Sequence, residues 1–134
     1  MFRRIALGLA LVAGLFYLIP ADPTSATPEP TVHEVWMKDI SPTEFVFEPA
    51  DITVKPGDVV RWIQTTATPH NVDFRAGPNG VVPTVDTPVG PFLMAADETY
   101  EVVIGDNFAA GTTKYVCTPH EYMGMVGTIT VEGS

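Results

Sequence analysis

Short segments in which apolar and polar residues alternate recur from residue 32 to the end of the chain. Such alternation predicts β-strands with one apolar face, because successive side chains of a strand point to opposite sides. The predicted strands cover residues 32–38, 44–48, 52–55, 59–64, 70–74, 99–104, 112–117 and 126–131. Turn signals such as Pro56-Gly57-Asp58 and Gly111 separate several of them. Seven or eight short strands at regular spacing predict an all-β sandwich or barrel with antiparallel pairing.

The alternation also assigns inward-facing residues. Val60 and Trp62 share one face of their strand, as do Ile129 and Val131 of the last strand. A third inward set comprises Tyr100, Val102 and Ile104. The segment 75–97 is the least regular and is predicted to be a long loop or a short helix, with Phe92, Leu93 and Met94 packed in the core or at its rim. No long helix is expected in a chain with 13 prolines and 11 glycines.

The N-terminal sequence predicts an export segment. Arg3 and Arg4 precede an apolar run at residues 5–19, which is the pattern of a signal peptide. Its cleavage site, Thr24-Ser25-Ala26, is only a fair match, so residues 1–21 are predicted to be a signal peptide or an uncleaved membrane anchor. Residues 22–31 form a Pro/Thr-rich tether without apolar periodicity. Residues 32–134 form the single folded domain.

The charge of the chain limits its partners. Its 7 basic and 16 acidic residues give a formal net charge of −9. Such acidity argues against nucleic acid or an anionic membrane surface as a ligand and favours protein partners with a basic docking face. The same acidity would also serve simply to keep an exported protein soluble.

Side chains that can bind a metal are concentrated near the C-terminus, where Cys117, His120 and Met125 lie within nine residues. Cys117 is the only cysteine, so an internal disulfide is impossible, and the thiol is an intermolecular bridge, a reactive group or a metal ligand. The nearby imidazole favours a ligand. A soft thiolate, an imidazole and a weak thioether suit copper, and His70 is the candidate for the second imidazole. A trigonal His₂Cys site with a long axial Met is the blue-copper arrangement.

At these residues the chain resembles the cupredoxins, small blue copper proteins of the plastocyanin and pseudoazurin type. The resemblance rests on Pro69-His70-Asn71-Val72 and on the C-x₂-H-x₄-M spacing of Cys117, His120 and Met125. It covers about the last 100 residues. It implies a Greek-key β-sandwich that binds one type 1 copper ion through His70, Cys117, His120 and Met125.

The resemblance also implies a function and a location. The chain is expected to be an exported electron-transfer protein that cycles between Cu(I) and Cu(II) in the periplasm or on the outer face of the cytoplasmic membrane. A cytochrome, an oxidase or a reductase would be its redox partner, and the protein itself is expected to be a monomer. Four protein ligands leave no open coordination position for a substrate, so an enzyme is not expected.

Further roles follow for residues around the ligands. Met123 has a tighter spacing from Cys117, but the Gly124-Met125-x-Gly127 context favours Met125 as the axial ligand. In the family, the Asn after the first His ties the ligand loop, so Asn71 is expected to bond the backbone of Thr118. Tyr122 and Met123 would form an apolar docking rim near His120, or else pack as ordinary loop residues. His33 has no ligand partner nearby in the sequence and is expected to be a surface histidine.

Three other interpretations use the same residues. The chain could bind copper for delivery or sequestration, in which case its copper would exchange readily. Cys117 could be a nucleophile activated by His120, although His70 and Met125 would then have no role. The site could hold structural zinc, although zinc prefers more Cys or His ligands than this set offers.

Overall fold

The computed structural model describes residues 29–76, 83 and 89–133. The predicted signal or anchor, most of the tether and part of the segment 75–97 lie outside these residues. The elements are β1 (Val32–Ser41), β2 (Glu44–Glu48), β3 (Asp51–Val54), β4 (Val59–Gln64), β5 (Asp73–Arg75), β6 (Thr99–Val103), β7 (Gly111–Val116), a 3₁₀ helix (Thr118–Met123) and β8 (Val126–Val131). Over the described residues, no helix has the length and apolar character needed to span a bilayer.

The eight strands form two four-stranded sheets, and the predicted β-sandwich is confirmed. One sheet has the order β2-β1-β4-β6 and the other has the order β3-β8-β7-β5. The β1–β4 and β3–β8 ladders are parallel, and the other ladders are antiparallel. The predicted antiparallel pairing therefore holds for four of the six described ladders, and the β1–β4 and β3–β8 ladders depart from it. Alternation along a strand fixes which face is buried and carries no information about the direction of its neighbour.

The core lies between the sheets and is built around aromatic rings. Trp62 contacts Tyr115 and Phe74 edge to face, with ring centroids 5.4 and 5.9 Å apart. The Tyr115 hydroxyl donates a hydrogen bond to the Ala50 carbonyl at 2.8 Å. Burial raises the pKa of this phenol, so it remains a neutral donor. The core therefore holds β7, the strand that leads to Cys117, in a fixed position.

Most predicted inward residues are buried, including both members of the β4 pair and of the β8 pair. Leu93 belongs to the core, whereas Phe92 and Met94 on either side of it are about half exposed. The predicted strand at 70–74 is shorter than expected, because only Asp73–Arg75 pairs as a strand with β7. His70 instead forms an isolated bridge with Leu93.

Candidate metal centre

Three donor atoms meet at one end of the sandwich. His70 Nδ1 lies 3.5 Å from Cys117 Sγ, His120 Nδ1 lies 3.4 Å from the same sulfur, and the two nitrogens are 3.1 Å apart. An ion at the centre of this triangle would lie about 2 Å from each atom, a length typical of metal bonds to imidazole and thiolate. Sequence reasoning proposed these three residues as ligands, and the fold brings them together.

Local geometry brings Cys117 and His120 to the same point. Cys117 follows β7 in an extended conformation and caps the 3₁₀ helix, whose first turn contains Pro119. The His120 N–H then donates to the Cys117 carbonyl at 3.0 Å. The helix ends at Gly124, which has a left-handed φ of 90° that glycine adopts without strain.

The loop closes on Met125. The Cys117 N–H donates to the Met125 carbonyl at 3.1 Å, and the Met125 N–H donates to the His120 carbonyl at 3.2 Å. Met125 is fully buried in the same core cluster as Cys117, whereas Met123 is 51% exposed. The loop thus turns the thioether of Met125 towards the interior and leaves that of Met123 accessible to solvent.

His70 is held from both sides. Its backbone exchanges two hydrogen bonds with Leu93, at 2.8 and 3.2 Å, and its side chain is fully buried. Its second ring nitrogen, Nε2, lies 2.8 Å from Asp39 Oδ1. Sequence reasoning missed Asp39. The sequence did place Asp39 on the inward face of β1, because it lies two residues after Met37 and four after Val35.

The contacts of Asp39 favour its charged form. Burial raises the pKa of Asp39, but hydrogen bonds from Thr68 and His70 outweigh it and hold this pKa below its usual value. The Thr68 hydroxyl donates to Oδ2 at 2.5 Å. A carboxylate only accepts hydrogen bonds, so Nε2 of His70 carries the proton and the lone pair of Nδ1 points towards Cys117.

The second histidine, His120, is partly buried and rests against Phe45. The two rings stack with centroids 4.0 Å apart and planes 21° from parallel. Burial lowers the pKa of His120 below its usual value. Its imidazole is therefore biased towards the neutral form, which is the form that binds a metal.

The sulfur of Cys117 is completely buried. Burial raises the pKa of the thiol, while the backbone N–H groups of Asn71 and His120 that face it oppose this shift. A coordinated metal cation would remove the proton outright. One soft thiolate and two neutral imidazoles form a donor set that suits copper.

Behind the ligands, hydrogen bonds join the two ligand-bearing segments. The Thr118 N–H donates to Asn71 Oδ1 at 2.8 Å, which is the contact expected from the resemblance. Asn71 Nδ2 donates to Thr118 Oγ1 at 3.0 Å. The same hydroxyl lies 3.3 Å from the buried carboxylate of Asp73, which pairs with Arg75 at 2.6 Å.

The third histidine, His33, lies far from this centre, near the start of β1. It lies six positions before Asp39, or about 20 Å away along an extended strand. His33 keeps part of its side chain at the surface, and its Nε2 lies 2.9 Å from Asp58 Oδ2. That contact is structural and involves none of the three donor residues.

Sequence comparison places these features in a known class. The profile of the copper binding proteins of the plastocyanin/azurin family matches residues 35–132. The plastocyanin of Nostoc punctiforme is 36% identical over 93 residues, which are 65% of this chain and 65% of that protein. Amicyanin-alpha of Methylorubrum extorquens is 32% identical over 123 residues, covering 92% of this chain and 86% of the relative.

Solved structures agree with the sequence relatives. Oxidised plastocyanin from Dryopteris crassirhizoma matches with a TM-score of 0.59 and 28% identity, over 75% of this chain and all of the plastocyanin. Amicyanin from Paracoccus versutus matches with a TM-score of 0.55 and 26% identity, over 80% of this chain and 86% of the amicyanin. The sandwich and its His-Cys-His cluster define a blue copper protein with the cupredoxin fold. The chain belongs to the plastocyanin/azurin family of copper-binding proteins, and its cofactor is one type 1 copper ion.

Proposed function

We propose that this protein is an exported single-copper electron carrier that passes electrons between redox partners. His70, Cys117 and His120 are the strong ligands, and Met125 is the axial ligand. The observation that carries the proposal is the triangle of Nδ1, Sγ and Nδ1 atoms, with edges of 3.1–3.5 Å. Met125 is fully buried in the same core cluster as Cys117. Copper bound there supplies a one-electron couple between Cu(I) and Cu(II).

The contribution of the protein is to hold the donor atoms in fixed positions relative to one another. The two bonds to Leu93 fix His70, and the bonds within the loop fix Cys117, His120 and Met125 relative to one another. Buried donors that are already in place move little when the charge of the site changes. Four protein ligands leave no open coordination position for a substrate, so an enzymatic role is not proposed.

His120 provides the route for electrons. His70 and Cys117 are fully buried, whereas His120 is only partly buried and lies closest to solvent. Tyr122 and Met123, in the same 3₁₀ helix, are 99% and 51% exposed. These side chains form an apolar rim on which a partner can dock.

The partner is a redox protein such as a cytochrome, an oxidase or a reductase. The net charge of −9 favours a partner with a basic docking face, and charge complementarity of this kind mainly raises the association rate. The protein acts as a monomer in the periplasm or on the outer face of the cytoplasmic membrane. Residues 1–21 serve as a signal peptide or anchor and residues 22–31 as a tether for the domain at 32–134, which the pattern after Arg3 and Arg4 supports.

Voltammetry of the copper-loaded protein in the presence of a strong Cu(I) chelator tests the proposal. An electron carrier gives a reversible one-electron wave and keeps its copper in both oxidation states. Loss of copper to the chelator on reduction would contradict this function and favour copper delivery. The Cys117→Ser variant is the control, because it removes the thiolate and is expected to give no such wave.

A further inference from the structure

One carboxylate reaches the candidate copper site from a strand that carries no ligand. Asp39 lies near the end of β1, with Oδ1 2.8 Å from His70 Nε2 and Oδ2 2.5 Å from the Thr68 hydroxyl. His70 is fully buried and the Asp39 side chain is 23% exposed. The carboxylate therefore ties β1 to the loop that presents His70 and leaves its own outer edge near solvent.

We propose that Asp39 is a positioning residue that orients His70 and lowers the copper reduction potential, an inference that rests on the proposed ligand role of His70. By accepting the Nε2 proton, the carboxylate fixes the tautomer in which Nδ1 is a donor to the metal. Partners of this kind also make the imidazole a stronger ligand, and their loss typically costs about 10- to 100-fold in metal affinity or activity.

The charge of Asp39 determines the direction of the effect on the potential. A Cu(II)–thiolate centre is cationic and a Cu(I)–thiolate centre is neutral, so a nearby anion stabilises the oxidised state more than the reduced state. In this buried setting the effect is screened less by solvent than at the surface. The Thr68 hydroxyl holds the second oxygen of the carboxylate and keeps the anion in place.

Asp39→Asn separates charge from hydrogen bonding, because the Asn side chain can still accept a bond from Nε2. We expect the variant to lower the ratio of Cu(II) affinity to Cu(I) affinity about tenfold. This change raises the reduction potential by ~59 mV. Glu44→Gln removes the same charge from an exposed position on β2 and is the matched control. Equal shifts in the two variants would overturn the proposal, since they would reflect only net charge.

A second measurement needs no variant. Nitrogen-15 NMR of the reduced, diamagnetic protein is expected to show His70 protonated at Nε2, with slow exchange of that proton. A His70 ring without a proton at Nε2 would overturn the proposal even if Asp39→Asn failed to fold. Absence of the thiolate-to-copper absorption in the wild-type protein would instead refute the copper site itself. An intact band with an unchanged Asp39→Asn potential would refute only the role of Asp39.

Discussion

Asn71 and Thr118 exchange two hydrogen bonds, one of 2.8 Å to the Thr118 backbone and one of 3.0 Å to its hydroxyl. Asn71 follows His70 in the chain, and Thr118 follows Cys117. The pair therefore joins the two segments that bring ligands from opposite parts of the sequence. Because both bonds are made by protein groups alone, they hold the ligand segments together independently of the metal.

Asn71→Ala removes both bonds. Each net hydrogen bond contributes about 1 kcal/mol, so we expect the free energy of unfolding of the apoprotein to fall by about 2 kcal/mol. We also expect faster loss of copper to a chelator, because His70 and Cys117 are no longer tied together. Denaturant unfolding and a stopped-flow chelator assay measure the two effects.

Asn107 offers a matched control for this variant. In the turn after β6 its side chain also makes two hydrogen bonds, to the Gly105 N–H at 2.9 Å and to the Val103 carbonyl at 3.2 Å. We expect Asn107→Ala to reduce stability without changing the rate of copper loss. Equal rates of copper loss in the two variants would show that Asn71 acts only on global stability.

The axial ligand is tested by replacing each methionine. Met125→Leu removes a buried thioether and is expected to raise the reduction potential by ~59 mV for a tenfold change in relative affinity. Met123→Leu changes an exposed side chain and should leave the potential nearly unchanged. Voltammetry of both copper-loaded variants distinguishes them, and the reverse pattern would make Met123 the axial ligand.

Gly127 sits where no larger residue fits. A Cβ at this position would clash with the Ala50 carbonyl and lie 2.5 Å from Cζ of Tyr115, its partner across the β7–β8 ladder. We expect Gly127→Ala to lower the free energy of unfolding by about 1–3 kcal/mol through overpacking. Gly133→Ala is the control, because nothing lies within 4 Å of the added carbon. Urea unfolding should separate the two variants, and equal stabilities would contradict this packing.

Asp58 makes the free energy of unfolding of the domain depend on pH in the acidic range. Its carboxylate accepts hydrogen bonds from the backbone N–H groups of Thr31 and Lys55, at 3.1 and 2.9 Å, and from His33 at 2.9 Å. Burial raises the pKa of Asp58, but these bonds outweigh it and hold the pKa below its ordinary value. The pKa of Asp58 is therefore lower in the folded state than in the unfolded state. Its contribution to stability is fully present above the unfolded-state pKa and is lost as the pH falls through the folded-state pKa.

Asp58→Asn is therefore expected to reduce stability at neutral pH and to weaken the dependence on pH below about pH 4. Urea unfolding across this range measures both effects. Asp106→Asn, at an exposed position, is the control and should leave the acid dependence as in the wild type. An unchanged acid dependence in Asp58→Asn would refute the role of this carboxylate.

The sequence predicted the features that depend only on residues close together in the chain. The inward positions of Val60 and Trp62 follow from the two-residue period of a strand, and both are buried. Cys117 and His120 could be paired because only two residues separate them within one turn. His70 required a chemical argument, since a copper site needs a second imidazole, and the fold brings its Nδ1 within 3.5 Å of the sulfur.

Contacts between residues of different strands could not be predicted from the sequence pattern. Asp39 and Phe45 are opposite partners in the β1–β2 ladder. Asp39 contacts His70, and Phe45 contacts both histidines of the site. Nothing in either short segment indicates this role, because it arises from the register of two strands and from their packing against distant loops. The parallel β1–β4 and β3–β8 ladders were missed for the same reason.

The most direct test of the account is the visible absorption spectrum of the purified protein during titration with Cu(II). We predict an intense blue or green thiolate-to-copper band that saturates at one copper per chain and is absent in Cys117→Ser. His33→Ala should leave the band unchanged, because His33 lies outside the site. A wild-type protein that binds copper without this colour, or a coloured Cys117→Ser variant, would contradict the assignment of a type 1 copper centre.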